Sequence, residues 1–275
     1  MNTRDPLLMP DVQSEADVRQ IAIDRVGIRS IRHPVTVLER SGARQSSIAR
    51  FSMAVALPHH VKGTHMSRFV RLLNEDLGAI DSVEFSRVLH RMLEQLEARS
   101  GQIELSFPFF MRKQAPVSGV SSLMDYEVTL SGTLNETAEQ IELKVLVPVT
   151  SLCPCSKEIS DQGAHNQRSH VTLTVQWQPG AGLAIEDLIE LAEAQASSEL
   201  YGLLKRTDEK YVTERAYDNP KFVEDLARDL AAALAADRRI NGFRVEVENF
   251  ESIHNHSAWA QIDSCAIPQR FLNSN

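Results

Sequence analysis

The sequence predicts an α+β protein made of two ββααββ modules in tandem, each an antiparallel sheet with its helices on one face. Three observations lead there. Runs of period-two alternation, the mark of half-buried strands, occur in pairs. Between the pairs lie longer runs with apolar residues at helical spacing. The order strand-strand-helix-helix-strand-strand then occurs a second time. Residues 21–135 and 136–275 therefore read as two modules. Residues 1–20, polar and without a sustained period, read as an N-terminal arm, either mobile or strapped across a subunit boundary. The halves share element order but no obvious sequence identity.

In the first module, Ile21–Arg29, continued by Val35–Leu38, and Ser47–Leu57 read as strands, the last stopped by Pro58. Its alternation shifts between Ile48 and Phe51, which suggests a bulge. Met66–Leu77 and Val83–Ala98 read as helices. Val88, Leu89, Met92, Leu93 and Leu96 form the apolar stripe of the second, with Ser82 as its N-cap and Ser100-Gly101 as its stop. Strands at Gln102–Arg112 and Val120–Thr133 complete the module. In the second, Ile141–Val149 and His170–Trp177 are strands, and Val171, Leu173, Val175 and Trp177 share a face. Ile185–Leu200 and Asn219–Ala236 are helices, the latter opened by Asn219-Pro220. Phe243–Phe250 and His256–Ile262 close the chain as strands. A sheet with helices on one face leaves its other face to water or to a partner, which favours oligomerisation.

The composition narrows the function. The 275 residues are 43% apolar and 24% charged, as in soluble globular proteins. Aromatics at 6% predict a mostly aliphatic core. Three cysteines, Cys153, Cys155 and Cys265, are too few and too odd for a disulfide framework. The opening MNTRDPLLMP lacks the apolar run of a signal peptide, and nothing approaches the ~18 apolar residues of a membrane span. The expectation is a cytoplasmic protein that binds neither membrane nor nucleic acid. A net charge of −8 means that an anionic ligand must be held by a local positive cluster. P-loop, H-E-x-x-H and C-x-x-C motifs are missing, and Gly180-Ala-Gly182 lacks the third glycine and the βαβ setting of a dinucleotide site.

Chemistry concentrates in Ser151–His170, directly after an apolar strand. Two cysteines, two histidines, a lysine and an arginine lie there, and Pro154 restricts the backbone between the thiols. In an extended segment, cysteines two apart point to opposite faces, so one of them would ligate a given metal. Thiolate with imidazole suits zinc or a similar transition metal. Unreactive thiols and hydrogen-bonded surface histidines would give the same letters. Lys205–Arg215, densely charged, reads as a linker between helices. Lys62, His65, Ser67 and Arg68 gather at a helix N-terminus, a natural anion site. Exposed basic residues on an ordinary capped helix are the alternative there.

Four segments together, Lys62-Gly-Thr-His-Met-Ser-Arg-Phe69, Cys153-Pro-Cys155-Ser-Lys-Glu-Ile-Ser, Gly163-Ala-His-Asn-Gln-Arg168 and Asp208-Glu-Lys-Tyr-Val-Thr-Glu214, resemble the type IB GTP cyclohydrolase I family. The resemblance covers about residues 9–268. It implies the tunnelling fold, two modules per chain and a homotetramer. It implies conversion of GTP and water to formate and 7,8-dihydroneopterin triphosphate, the first step of pterin and folate synthesis. It also implies a divalent metal, zinc, manganese or iron, held by Cys153, Glu209 and His254, with Glu214 as the alternative carboxylate. His165 matches the catalytic histidine beside the metal, and Glu224 the guanine anchor.

These residue types suit that chemistry. A metal can lower the pKa of water for attack at guanine C8. His165 can carry protons between the purine nitrogens and water. A buried carboxylate at Glu224 can accept two N–H bonds from guanine, selecting it over adenine. Lys62, His65 and Arg68 are the first candidates for the triphosphate, with Lys157, Arg168 and Arg215 behind them. Two rivals stand: another tunnelling-fold enzyme of the deazapurine nitrile reductase type, which needs a nucleophilic cysteine and a nicotinamide, and a non-catalytic purine-nucleotide or metal-binding protein, which would not need His165.

Overall fold

The computed structural model describes residues 11–75 and 77–264; Cys265 and residues 1–10 lie outside them. Eight strands form a single antiparallel sheet in sequential order: β1 (Ile23–Leu38), β2 (Arg44–Leu57), β3 (Gly101–Gln114), β4 (Ser121–Leu134), β5 (Glu139–Leu152), β6 (Asn166–Gln176), β7 (Phe243–Phe250) and β8 (Ser257–Asp263). Two sheets are expected from the sequence; one continuous sheet is found. The seam is the pairing of β4 with β5 from Glu127↔Leu146 to Leu134↔Glu139. Each strand would otherwise present an edge of unpaired N–H and C=O groups, and pairing satisfies both edges.

Among the described residues six α-helices accompany the sheet: α1 (Met66–Asn74), α2 (Ser82–Leu96), α3 (Pro154–Ile159), α4 (Ile185–Gln195), α5 (Arg206–Asp218) and α6 (Val223–Ala236). Helix α1 packs on β1, α2 on β3 and β4, α4 on β5 and β6, and α6 on β7 and β8. They cover the face that carries Phe51, Met53 and Val55 of β2, Leu143, Val145 and Val147 of β5 and Val171, Leu173 and Val175 of β6, all buried. The apolar stripes expected of α2 and α6 are buried against it. Phe51, Phe69, Phe85, Phe109 and Tyr126 are among the largest fully buried side chains, so the few aromatics concentrate in the first half.

Several local expectations shift. The irregularity expected in β2 lies in β1 instead, between Ile23 and Val26 and between Ile28 and Ile31. There Ser30 takes a φ of 59°, and a Cβ on Gly27 would fall 1.9 Å from the Met53 carbonyl oxygen. Ala49, Phe51, Met53, Val55 and Leu57 alternate without a break, and Ile48 belongs to the opposite face. Helix α2 is capped by Asp81, whose carboxylate accepts the Glu84 N–H at 2.7 Å, because Asp81 is extended and Ser82 already helical. It ends at Glu97, in the left-handed region at φ 53°, before the expected stop at Gly101. Helix α6 begins at Val223 rather than at Asn219-Pro220.

Strand direction decides which residues can meet. Connections 39–43, 115–120, 153–165 and 251–256 all lie at one end of the sheet. The segment 58–65, between β2 and α1, lies at the other.

Candidate active site

Strand β5 runs into Cys153, and Pro154 supplies the first residue of α3, a position where its missing N–H costs nothing. The cysteines therefore do not share an extended segment. Cys153 is the half-buried N-cap and Cys155 an exposed residue of the first turn. The Cys153 N–H donates to the His165 carbonyl at 3.1 Å, extending the β5–β6 ladder by one rung. Ser156 Oγ donates to the Cys153 carbonyl at 3.0 Å and accepts the His165 N–H at 3.2 Å. His165 Nδ1 lies 3.1 Å from Ser252 Oγ, on the β7–β8 connection. The Cys153 backbone, His165 and the loop carrying His254 are thus joined by short polar contacts.

The floor of this end is polar and buried. Ser169 Oγ lies 2.8 Å from Ser151 Oγ and 2.6 Å from Asn249 Oδ1, and Leu152 donates its N–H to Ser197 Oγ at 3.1 Å. The Lys221 N–H donates to the Leu152 carbonyl at 3.1 Å, tying the entry of α6 to the residue before Cys153.

The remaining expected ligands share this end without converging. His254 is exposed, its Nδ1 3.6 Å from Glu251 and its ring stacked on His256. Glu209 is exposed on α5. Glu214 pairs with Lys210 at 2.7 Å and, five residues on, points about 140° away around the helix. Among the described residues no three His, Cys, Asp or Glu side chains stand close enough together to hold a metal ion. The donor types nevertheless fit one: a thiolate, an imidazole and a carboxylate at one sheet end, with the thiol fixed by the backbone. Glu224 lies in the first turn of α6, where a carboxylate favours the helix dipole. Its expected burial is not found, for it faces solvent in the single chain. Lys157 donates to the Tyr217 carbonyl at 2.5 Å and sits 4.3 Å over the Tyr217 ring. Arg215 lies 3.3 Å from Glu199, and Arg168 is exposed on β6.

The expected linker 205–215 is helix α5, and a residue of unassigned role holds it. Asp208, fully buried, accepts the Val117 N–H at 2.9 Å, the Ser118 N–H at 2.8 Å, the Ser118 hydroxyl at 2.6 Å and the Lys205 N–H at 2.9 Å. Burial pushes its carboxyl up, but these hydrogen bonds outweigh it and hold the group far below the usual carboxylate range. A second unassigned cluster lies nearby. Lys113 of β3 donates to Glu193 of α4 at 2.6 Å and to the Leu200 carbonyl at 2.7 Å, and Tyr126 donates to Glu193 at 2.8 Å. Burial pushes the Glu193 carboxyl up against the pull of Lys113.

Lys62, His65 and Arg68 gather at the opposite end of the sheet. The helix expected there is α1, and His65 is its N-cap. A cavity of about 690 Å³ opens there, lined by His59, His60, His65, Arg68 and Arg99 among others. Strand β5, 14 residues at about 3.3 Å each, puts roughly 45 Å between this cluster and Cys153. Within one chain the two clusters cannot touch the same nucleotide.

An antiparallel sheet with helices packed along one face is the architecture of the tunnelling-fold proteins. It is shared with the uricase of Arthrobacter globiformis, at a TM-score of 0.52 over 87% of this chain and 92% of that one, with 9% identity. That likeness is one of fold alone. The family model described as type I GTP cyclohydrolase folE2 matches residues 9–260. GTP cyclohydrolase FolE2 of Nitrosococcus oceani is 60% identical over 253 residues, 92% of this chain and 94% of that protein. The protein of the same name from Thiobacillus denitrificans is 60% identical over 255 residues, 93% and 94% of the two chains. The chain belongs to the type I GTP cyclohydrolase FolE2 family.

Proposed function

We propose that this chain is a metal-dependent GTP cyclohydrolase I, converting GTP and water to formate and 7,8-dihydroneopterin triphosphate at the start of folate synthesis. What supports the reading, besides the family, is the joining of Cys153 to His165 by the 3.1 Å backbone bond and of His165 to the His254 loop through Ser252. Cys153, Glu209 and His254 would hold a divalent metal, zinc, manganese or iron. When bound, the metal supplies a Lewis acid that makes water a nucleophile at neutral pH. His165, its Nδ1 anchored by Ser252, moves protons between the purine nitrogens and solvent as the imidazole ring opens. Glu224 accepts N–H bonds from the guanine edge, and in the single chain it stands open to solvent to do so. Lys62, His65 and Arg68 hold the triphosphate.

We further propose a homotetramer in which the Lys62–Arg68 end of one copy meets the Cys153 end of another. That arrangement brings a triphosphate and a reacting purine into reach of one site, which the strand length separating the clusters denies to the single chain. Among the described residues no helix is long and apolar enough to cross a membrane. The free thiols of Cys153 and Cys155 suit a reducing cytoplasm as the place of work.

The test is turnover. Protein loaded with Mn²⁺ or Zn²⁺ should release formate from GTP and yield a pterin that fluoresces after oxidation. No product with any divalent metal would overturn the reading. A nicotinamide-dependent reduction would instead favour the nitrile reductase class.

A further inference from the structure

The basic cluster at the β2–α1 end is already occupied by carboxylates of its own chain. Lys62 Nζ lies 2.5 Å from Glu15, His65 Nε2 lies 3.4 Å from Asp11, and Arg68 lies 3.0 Å from Glu97. Two of these partners come from one short segment just before β1. That segment is also bound through its backbone. Ala16 and Val61 form an antiparallel bridge, and Lys62 and Gly63 donate their N–H groups to the Glu15 and Gln13 carbonyls at 3.2 and 3.1 Å. The Asp17 N–H donates to the His60 carbonyl at 3.0 Å. A strand-like contact thus sets the register that carries Asp11 to His65 and Glu15 to Lys62.

We propose that residues 11–17 are an acidic strap that occupies the polyphosphate-binding groups in the resting chain and is displaced by the incoming triphosphate. The inference rests on the reading of Lys62, His65 and Arg68 as the triphosphate cradle. The chemistry favours exchange. Each pair is partly exposed, with the side chains of Lys62 and Glu15 at 39% and 52% of full exposure, so each is weak and screened by salt. A triphosphate concentrates more negative charge within reach of the same three side chains and accepts several hydrogen bonds at once. The strap keeps Lys62 and His65 engaged between turnovers, raising the KM for GTP without touching the reacting atoms.

The experiment compares wild type with Glu15→Gln, Asp11→Asn and Lys62→Ala, each as the full chain. Glu15→Gln and Asp11→Asn should each lower the KM for GTP about two- to five-fold with kcat unchanged. Lys62→Ala should raise it. Independently of turnover, inorganic tripolyphosphate should speed amide hydrogen exchange over residues 12–20 of wild type, because the Asp17 N–H loses its acceptor. Two results overturn the strap and leave the cradle standing: a KM that rises with Lys62→Ala but does not fall with Glu15→Gln and Asp11→Asn, or exchange over 12–20 that tripolyphosphate leaves unchanged. A KM indifferent to Lys62→Ala places the cradle elsewhere and overturns both.

Discussion

The two halves of the chain are one scaffold with different connections. In the first, α1 and α2 are joined by residues 75–81, which touch the sheet where Ile80 bridges Val37. In the second, α4 and α6 are joined by residues 196–222, which touch it at the matching place, where Ser198 bridges Thr150, and then add helix α5. The hairpin turn 39–43 between β1 and β2 likewise becomes 153–165 between β5 and β6, with α3 inside it. Cys153, His165, Glu209 and Glu214 all lie in the enlarged connections. The strands and helices provide burial, while these four candidate residues sit where the second half departs from the first. Short first-half turns then serve as anchors: Ser118 binds Asp208 of α5, and Arg40 reaches Asp187 and Glu190 of α4 at 3.0 and 2.6 Å.

This contrast can be broken most directly at His165. His165→Ala should lower kcat about 10²- to 10⁴-fold, the usual worth of a positioned acid–base group, with the folded state kept. Cys153→Ala should lose bound metal, and Cys155→Ala should keep it. Metal content and formate release read both. Equal metal in the Cys153 variant would show that the wrong thiol was assigned.

Besides the β4–β5 pairing, a buried ion pair joins the halves. Lys113→Met leaves the buried Glu193 without its cation and should destabilise the fold by about 3–5 kcal/mol, measured by denaturant unfolding. The sign with pH follows from Glu193. Burial already raises its folded pKa, and losing Lys113 raises it further. Stability tied to such a group is present below its unfolded pKa and lost as pH rises through the folded one, so the deficit should grow from pH 4 to pH 8. Glu193→Gln in the same background should recover part of it.

Legibility in the sequence follows the same division. The shared scaffold was readable because burial imposes a period: Val171, Leu173 and Val175 alternate, and Val88, Met92 and Leu96 recur by turns. Cys153 and His165 stand out in the sequence as candidates by residue type and family motif. Helix α5 was not, because only Asp208 and Ala216 of its residues are buried, which leaves no apolar stripe to announce a helix. Asp208 was not, because its partners at 117 and 118 are some ninety positions away. The single sheet was not, because the β4–β5 turn looks like any boundary between modules. The expected burial of Glu224 was a property assigned to the family's site, and the single chain leaves the residue in water.

A smaller effect separates scaffold from cradle. Arg68→Ala, at the other end of the sheet, should raise the KM for GTP about ten-fold, the scale of one charge-assisted hydrogen bond, and leave metal content unchanged. Metal loss in that variant would mean that the two ends are coupled through the assembly rather than through a shared substrate.

The mildest test concerns how α5 is anchored. Asp208→Asn keeps the shape of the side chain but removes the charge that accepts from Val117, Ser118 and Lys205. The carboxyl is held below its ordinary value, so its contribution is fully present above the unfolded pKa of about 3.9 and is lost as pH falls toward the folded one. Wild type should therefore exceed the variant in denaturant midpoint at pH 7, and the gap should narrow at pH 3. Metal affinity is the sharper readout, because Glu209 is the next residue on the helix. If α5 is positioned by this anchor, the variant should lose metal affinity at pH 7 before it loses its fold. A variant that unfolds more easily but binds metal as tightly as wild type would make Asp208 a brace for the scaffold alone.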